Sequence, residues 1–567
     1  MWFRIVFCLG LLIVASGLVA ADGPQQAPPP AATPKFTSRA ELVMVPALVT
    51  DKSGAHVTGL TAPDFTVTED GVPQKVTVFE EVKAGGAPVT RDQGGAFTNV
   101  AADSTAPQRT NIILIDQLNT RFQMQVYAKD RLIKYVQQYV KSGDKTAILV
   151  FRGTHLLLVR GFTDNPDSLI TALDRVWPTV APGTTSAVGR TPMPTLGSPT
   201  PGLSVGAGRS SGGASRGPVG ESGSASDVAN IQNRTQALRQ AEQALGGPCS
   251  SNVNDFSTIT RVLPTLELFR VIARSFAGIP GRKALIWITG GFPFCTAAGQ
   301  LHAGAQPQLY ENTFNMLNDA NIAVYPIDAN GLVAEAEARN WPRLANFDAF
   351  HAFAESTGGR AYLNRNDLDR GAAEAAADAA SYYVLGYYRT QHETDRNGWR
   401  KLNVKVARGG TRVRARAGFF VTNKMLDDAA IVRNEIASAV VSPFDFTSLA
   451  LSVRWTGTGG SSGAPKRNVD FSIAIPPGAL TLDDSDRNHA NLQVLAFVRT
   501  TDERVVTQSN QQVDGHLSTE QVSQLGKEGF TYSGHLEVPS GDYNVRFVVR
   551  DNISGRIGSV QAPLKVE

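Results

Sequence analysis

Residues 111–120 read NIILIDQLNT, an unbroken apolar run from Ile112 to Ile115 that closes on Asp116. A short continuous run of this kind suits a strand buried on both faces, because neither side of its pleat meets water. Three later stretches repeat the pattern: TAILVF at 146–151, ALIWIT at 284–289 and IAVYPID at 322–328. Helical periodicity fills the intervals, over 123–140 (apolar at Val126, Leu132, Ile133, Val136 and Val140), 258–276 and 303–320. Strands alternating with helices predict an α/β chain, with a three-layer, mostly parallel-sheet domain of Rossmann type over residues 109–420. In open sheets of that kind ligands bind outside the carboxyl ends of the strands. That rule selects Asn119, Gly290 and Asp328 as a ligand-binding face, around Asp116 and Thr120.

Outward from this centre the pattern changes. Residues 38–85 alternate with period 2 (Phe65, Val67, then Val76, Val78) about Asp70-Gly71, a dipeptide that accepts the positive φ of a tight hairpin, so a small β-domain is expected there. A linker follows at 86–108. Residues 178–226, dominated by Gly, Ser, Pro and Thr, read as a disordered insertion, too poor in large apolar groups to offset ordering entropy. The two G-x-S-x-G matches inside it lack the flanking strand and helix of a nucleophile elbow. After Ser381, SYYVLGYYRT, KLNVKVARGG and TRVRARAGFFV read as a last sheet strand and a hairpin. A connector at 421–442 leads to a β-sandwich of immunoglobulin-like type over 443–567, announced by several short strands between Gly, Asp and Ser turns.

The first 21 residues place Arg4 before an apolar run and end in small residues, the order of a secretory signal peptide, with an uncleaved anchor as the rival. Residues 22–37, rich in Pro, Ala and Gln, read as a flexible tether. The expected location is therefore periplasmic or extracellular. The charge balance, 54 Lys and Arg against 51 Asp and Glu, argues against a dedicated nucleic-acid binder. Beyond the signal only Cys249 and Cys295 remain of three cysteines, an even pair in an oxidising compartment that is either a disulfide or two buried thiols.

The combination of LVMVPALVTDKSGAHVTGLTAPDFTVTEDGVPQKVTVFEE, IILIDQLNT, ALIWITGGFP, VYPID and SYYVLGYYRT resembles the von Willebrand factor A domain family, and more closely the bacterial secreted VWFA-related domain proteins. The resemblance spans residues 38–420. It implies a divalent cation such as Mg²⁺, held by Asp-x-Ser-x-Ser, a Thr from a second loop and an Asp from a third, with an open position for a partner's carboxylate. Asp116 and Thr120 match that set as metal ligands. Leu118 replaces the first Ser, and Gly290-Gly291 stand where the third-loop Asp is expected, so the implied site is degenerate. Asp328 would restore a carboxylate if its strand lay beside the first. The alternative is that Asp116 and Asn119 cap the following helix.

Elsewhere the eight histidines are scattered singly, with no H-E-x-x-H and no zinc spacing, and no phosphate loop or dinucleotide fingerprint is present. Arg412, Arg414 and Arg416 alternate with Val413 and Ala415 and are expected to share one basic strand face, either solvated or turned to a polyanion. No catalytic set emerges. The expectation is an exported, non-enzymatic binding or adhesion protein for a protein or cell-envelope polymer, with no transmembrane segment once the signal is removed. A structural envelope component and an unrecognised secreted hydrolase are the alternatives.

Overall fold

The computed structural model describes residues 40–83, 96–99, 109–153, 155–176, 178, 256–292, 307–332, 341–390, 398–421, 429–459, 466–483, 486 and 488–567. The expected signal (1–21), the tether (22–37), Cys249, Cys295 and, apart from its first residue, the insertion at 178–226 lie outside them. Among the described residues no helix is long and apolar enough to cross a membrane.

The fold class expected from the alternating runs is corrected. Among the described residues strand accounts for 45% and helix for 27%, and the strands form five small sheets. Four of those sheets pair only antiparallel strands, so the chain is mostly β rather than a three-layer parallel α/β protein. The reason is physical: strand character is written locally, whereas partner and direction depend on which distant apolar face completes the burial.

Parallel pairing is confined to one mixed sheet. It contains β6 (Thr110–Asp116), β7 (Lys145–Arg152), β8 (His155–Thr163), β9 (Lys283–Thr289) and β10 (Ile322–Asp328), in the order β10-β9-β6-β7-β8. The first four run parallel, and β8 returns antiparallel at the edge. Every residue of β6, β9 and β10 is buried. Ile113 and Ile115 face α1 (Phe122–Tyr139), α2 (Pro166–Asp174) and α6 (Leu368–Ala377). Ile112 and Leu114 face α3 (Phe256–Phe276), α4 (Pro307–Asp319) and α5 (Trp341–Thr357). Each such side chain contributes about 1.5–3 kcal/mol by leaving water.

At the amino end of β9, Lys283 is buried and its Nζ donates to the carbonyls of Ile279 (2.5 Å) and Gly281 (2.9 Å). Burial lowers this ammonium from 10.5 to about 7, an effect the two carbonyls temper. Between those values the unfolded chain holds a proton that the folded chain lacks, so stability relative to Lys283→Met is expected to rise as the pH goes from about 7 towards 10. Denaturant unfolding of both proteins across that window measures it, and a flat difference would show that the carbonyls keep the amine charged.

Residues 38–85 do not form a domain of their own, and the stretch after Ser381 does not add a strand to the mixed sheet. β1 (Ala40–Thr50), β4 (Val78–Lys83), β11 (Ser381–Thr390) and β13 (Arg412–Arg414) make one sheet. β2 (Phe65–Glu69), β3 (Val72–Gln74), β12 (Gly398–Val406) and β14 (Gly418–Val421) make the sheet facing it. Their shared core holds Val43, Val45, Phe65 and Val67 from the first segment and Tyr383, Leu385, Leu402 and Phe419 from the second. Each segment has one apolar face, and only the other segment covers it. Asp70 (φ 50°) and Gly71 (φ 87°) make the expected two-residue turn, but the hairpin stops at Gln74, and β4 crosses to the opposite sheet.

The expected linker and connector are also structural. β5 (Phe97–Thr98) pairs with β15 (Ser452–Gly459), and Asn99 donates to the carbonyls of Phe446 (2.6 Å) and Leu449 (2.8 Å). β5 and β15 join β16 (Arg467–Ile475) and β19 (Phe530–Val538) in one sheet. That sheet packs on another made of β17 (His489–Thr500), β18 (Val505–His516), β20 (Gly541–Asp551) and β21 (Ile557–Val566). Residues 421–442 contain α7 (Ala429–Val441), whose Ala439 and Val440 pack on Leu495 and Val548. From α7, Glu435 reaches Arg274 and Arg270 of α3 (2.6 and 3.6 Å) and Arg550 of β20 (3.4 Å).

Candidate functional site

The mixed sheet places the selected residues at the carboxyl ends of β6, β9 and β10. Asp116, wholly buried, accepts four hydrogen bonds through its carboxylate, one at Oδ1 and three at Oδ2. Oδ1 accepts from the Asn119 backbone N–H (3.0 Å). Oδ2 accepts from Asn119 Nδ2 (2.8 Å), Thr289 Oγ1 (3.0 Å) and Trp287 Nε1 (3.1 Å). Burial pushes the Asp116 carboxyl up, and these four donors oppose the rise by favouring the charged form. The Trp287 indole packs edge-on against Phe269, Phe292, Phe350 and Phe353, and its N–H finds in Asp116 the acceptor that a buried Trp needs.

The adjoining loops are stitched to this centre. Thr120 Oγ1 accepts from the Gly290 N–H (2.9 Å). Close approach favours glycine there: a Cβ on Gly290 would stand 3.0 Å from Asn119 O and 3.1 Å from Thr120 Cα. Gly290 O accepts from Asn330 Nδ2 (2.5 Å), which also donates to Asp328 Oδ1 (2.8 Å). Gln125, from the first turn of α1, donates to the carbonyls of Thr120 (2.7 Å) and Gln117 (3.2 Å). Asp116, Asn119, Thr120, Gly290 and Asp328 therefore meet in one hydrogen-bonded floor.

The floor does not fit a cation of the implied kind. The Asp116 lone pairs already hold four donors, and Thr120 Oγ1 faces an N–H rather than an open position. Leu118 has no ligating atom, and β9 lies between β6 and β10, so Asp328 is not beside Asp116. Asn119 Oδ1 is a buried acceptor without a hydrogen-bond partner, but one amide oxygen does not complete an oxygen shell of six. Among the described residues no three His, Cys, Asp or Glu side chains converge as a ready metal cage. Capping does not account for Asp116 either: the N-cap of α1 is Arg121, without a side-chain cap.

What the sequence did not mark is the role of Trp287 and Thr289. Both sit on β9 with spacing i, i+2, which puts them on one side of that strand next to β6, and this periodicity was the available signal. The basic row is likewise rearranged. β13 ends at Arg414, which forms an ion pair with Asp378, a carboxyl that burial pushes up and Arg414 and Arg282 pull down. Arg416 donates to Met44 O (2.9 Å) and lies over the Phe419 ring, leaving Arg412 as the exposed member of the three.

Three exposed apolar side chains lie on the elements that border the floor. Phe122 and Val126, one turn apart on α1, are 49% and 41% exposed, and Leu332, in the loop after β10, is 62% exposed. Tyr127 Oη and the Leu332 N–H both bond Asn366, through its backbone and side-chain oxygens, and so draw the two elements together. Searches against protein-family models and against curated proteins return no match to this sequence.

Proposed function

We propose that the chain is an exported, non-enzymatic binding protein that recognises a protein or cell-envelope polymer through the carboxyl-end loops of β6, β9 and β10, without a cation. The observation that carries this reading is the exposure of Phe122, Val126 and Leu332 beside a floor fixed by hydrogen bonds. Exposed apolar groups on a rigid base offer binding area at low ordering cost, the condition under which a few side chains dominate recognition. The implied export and the resemblance to secreted proteins agree with an extracytoplasmic partner.

The test is crosslinking of the full-length protein in its native cells, with Phe122→Ser/Leu332→Ser beside the wild type. A discrete crosslinked partner is expected for the wild type, with at least a tenfold loss in the double variant while its circular dichroism is unchanged. Equal partner recovery from both would overturn the assignment of this face.

A further inference from the structure

Pairing of β17 with β18 brings together two histidines that are 27 residues apart in sequence: His489 stands directly opposite His516. Their rings stack with centroids 4.9 Å apart. Asp486, in the turn before β17, addresses both. His516 Nε2 lies 3.3 Å from its Oδ1, and His489 Nδ1 lies 3.8 Å from its Oδ2. On the other side of the ring, His489 Nε2 is 2.7 Å from Asp514 Oδ1, and Asp514 Oδ2 accepts from Asn491 Nδ2 at 2.9 Å.

We propose that His489 Nδ1, His516 Nε2 and the Asp486 carboxylate bind a divalent transition-metal cation, Zn²⁺ above all, at the exposed end of the β17–β18 hairpin. The donor set is two imidazoles and a carboxylate, which favours such ions over Mg²⁺ and Ca²⁺. In a tetrahedral zinc site with bonds of about 2.0–2.1 Å, neighbouring ligand atoms stand about 3.3–3.4 Å apart. The His516–Asp486 separation is already of that size. A ligating histidine commonly donates its other ring N–H to a carboxylate, which fixes the tautomer and raises the basicity of the ligating nitrogen. Asp514 stands in that position on His489, itself oriented by Asn491.

As placed, the ligands face one another in pairs around no common point. Capture of the ion turns Asp486 and His516 onto it, and their side chains, 53% and 42% exposed, have the room to turn. The remaining position is open to water. The bound ion would join the first residue of β17, the last of β18 and the turn that precedes them.

Zn²⁺ alone is the probe, titrated into the untagged full-length chain in competition with a chromophoric chelator. One Zn²⁺ per chain is expected. Affinity should fall at least tenfold in His516→Ala and in Asp486→Asn, by about tenfold in Asp514→Asn, and not at all in His155→Ala, an exposed histidine elsewhere. Cu²⁺ in the same site should give an electron paramagnetic resonance spectrum with imidazole nitrogen couplings that His489→Ala/His516→Ala removes. Equal Zn²⁺ uptake by the wild type and that double variant overturns the proposal, as does displacement of Zn²⁺ by equimolar Mg²⁺.

Discussion

Asp116→Ala is expected to lower the local stability of the mixed sheet by about 3–5 kcal/mol, since it leaves buried N–H donors of Asn119 and Trp287 without their acceptor, while the Thr289 hydroxyl can turn to Gly291 O. Asp116→Asn should cost less, about 2 kcal/mol. Its amide oxygen can still serve the three donors around Oδ2, while its NH₂ is forced against the Asn119 N–H. The graded order distinguishes a structural acceptor from a metal ligand, because a ligand lost from a metal-free protein relieves charge and should not destabilise it. Hydrogen exchange of the β6 and β9 amides in metal-free buffer reads the opening free energy where the change is made. Unchanged protection in Asp116→Ala would return Asp116 to the status of a spare ligand and reopen the cation reading.

The second large effect is expected at Glu435. This one carboxylate lies among three guanidinium groups, and the side chains of Arg274 and Arg550 are only 5% and 2% exposed. Burial pulls the Arg274 guanidinium down, and Glu435 opposes that pull. Glu267, near Arg270 (3.0 Å) and Arg274 (3.9 Å), is more exposed and is the weaker counter-charge. Removing the Glu435 charge strands buried cations, which typically costs about 3–5 kcal/mol. Glu435→Gln should therefore loosen the seat of α7 between α3 and β20, seen as faster exchange in α7 and a larger radius in small-angle scattering. Glu435→Met with Arg274→Met should recover part of the loss, because an apolar pair leaves fewer charges stranded. A Glu435→Gln protein with wild-type exchange in α7 would show that Glu267 suffices.

Local features were legible where a few neighbouring residues carry them. The apolar runs ending in Asp116, Thr289 and Asp328 mark three buried strands, and Asp70-Gly71 marks its turn. The fold class was not legible, because direction and partner are properties of distant segments: SYYVLGYYRT reads equally well as a strand beside β10 or beside β1. Only the apolar face of β1, formed by Val43, Val45 and Ala47, decides between them. The candidate floor was legible as a set of positions but not as chemistry. Asp116 looks like an open ligand until Trp287 and Thr289, some 170 residues later, are seen to occupy it. His489 and His516 were passed over for the same reason, since spacing along the chain does not reveal a cross-strand pair.

The sharing of one β-core by residues 40–83 and 381–421 also dictates an order of events during synthesis. Leu60 waits for Tyr383, which is 323 residues further along. At translation rates of about 5–20 residues per second, that interval is roughly 15–65 s. Throughout it β1 exposes unpaired edges and an apolar face, while the whole mixed sheet emerges and can close first. The nascent chain is then a folded middle trailing an unsatisfied first strand set, and its passage to the native state depends on keeping those early strands single until their late partners arrive.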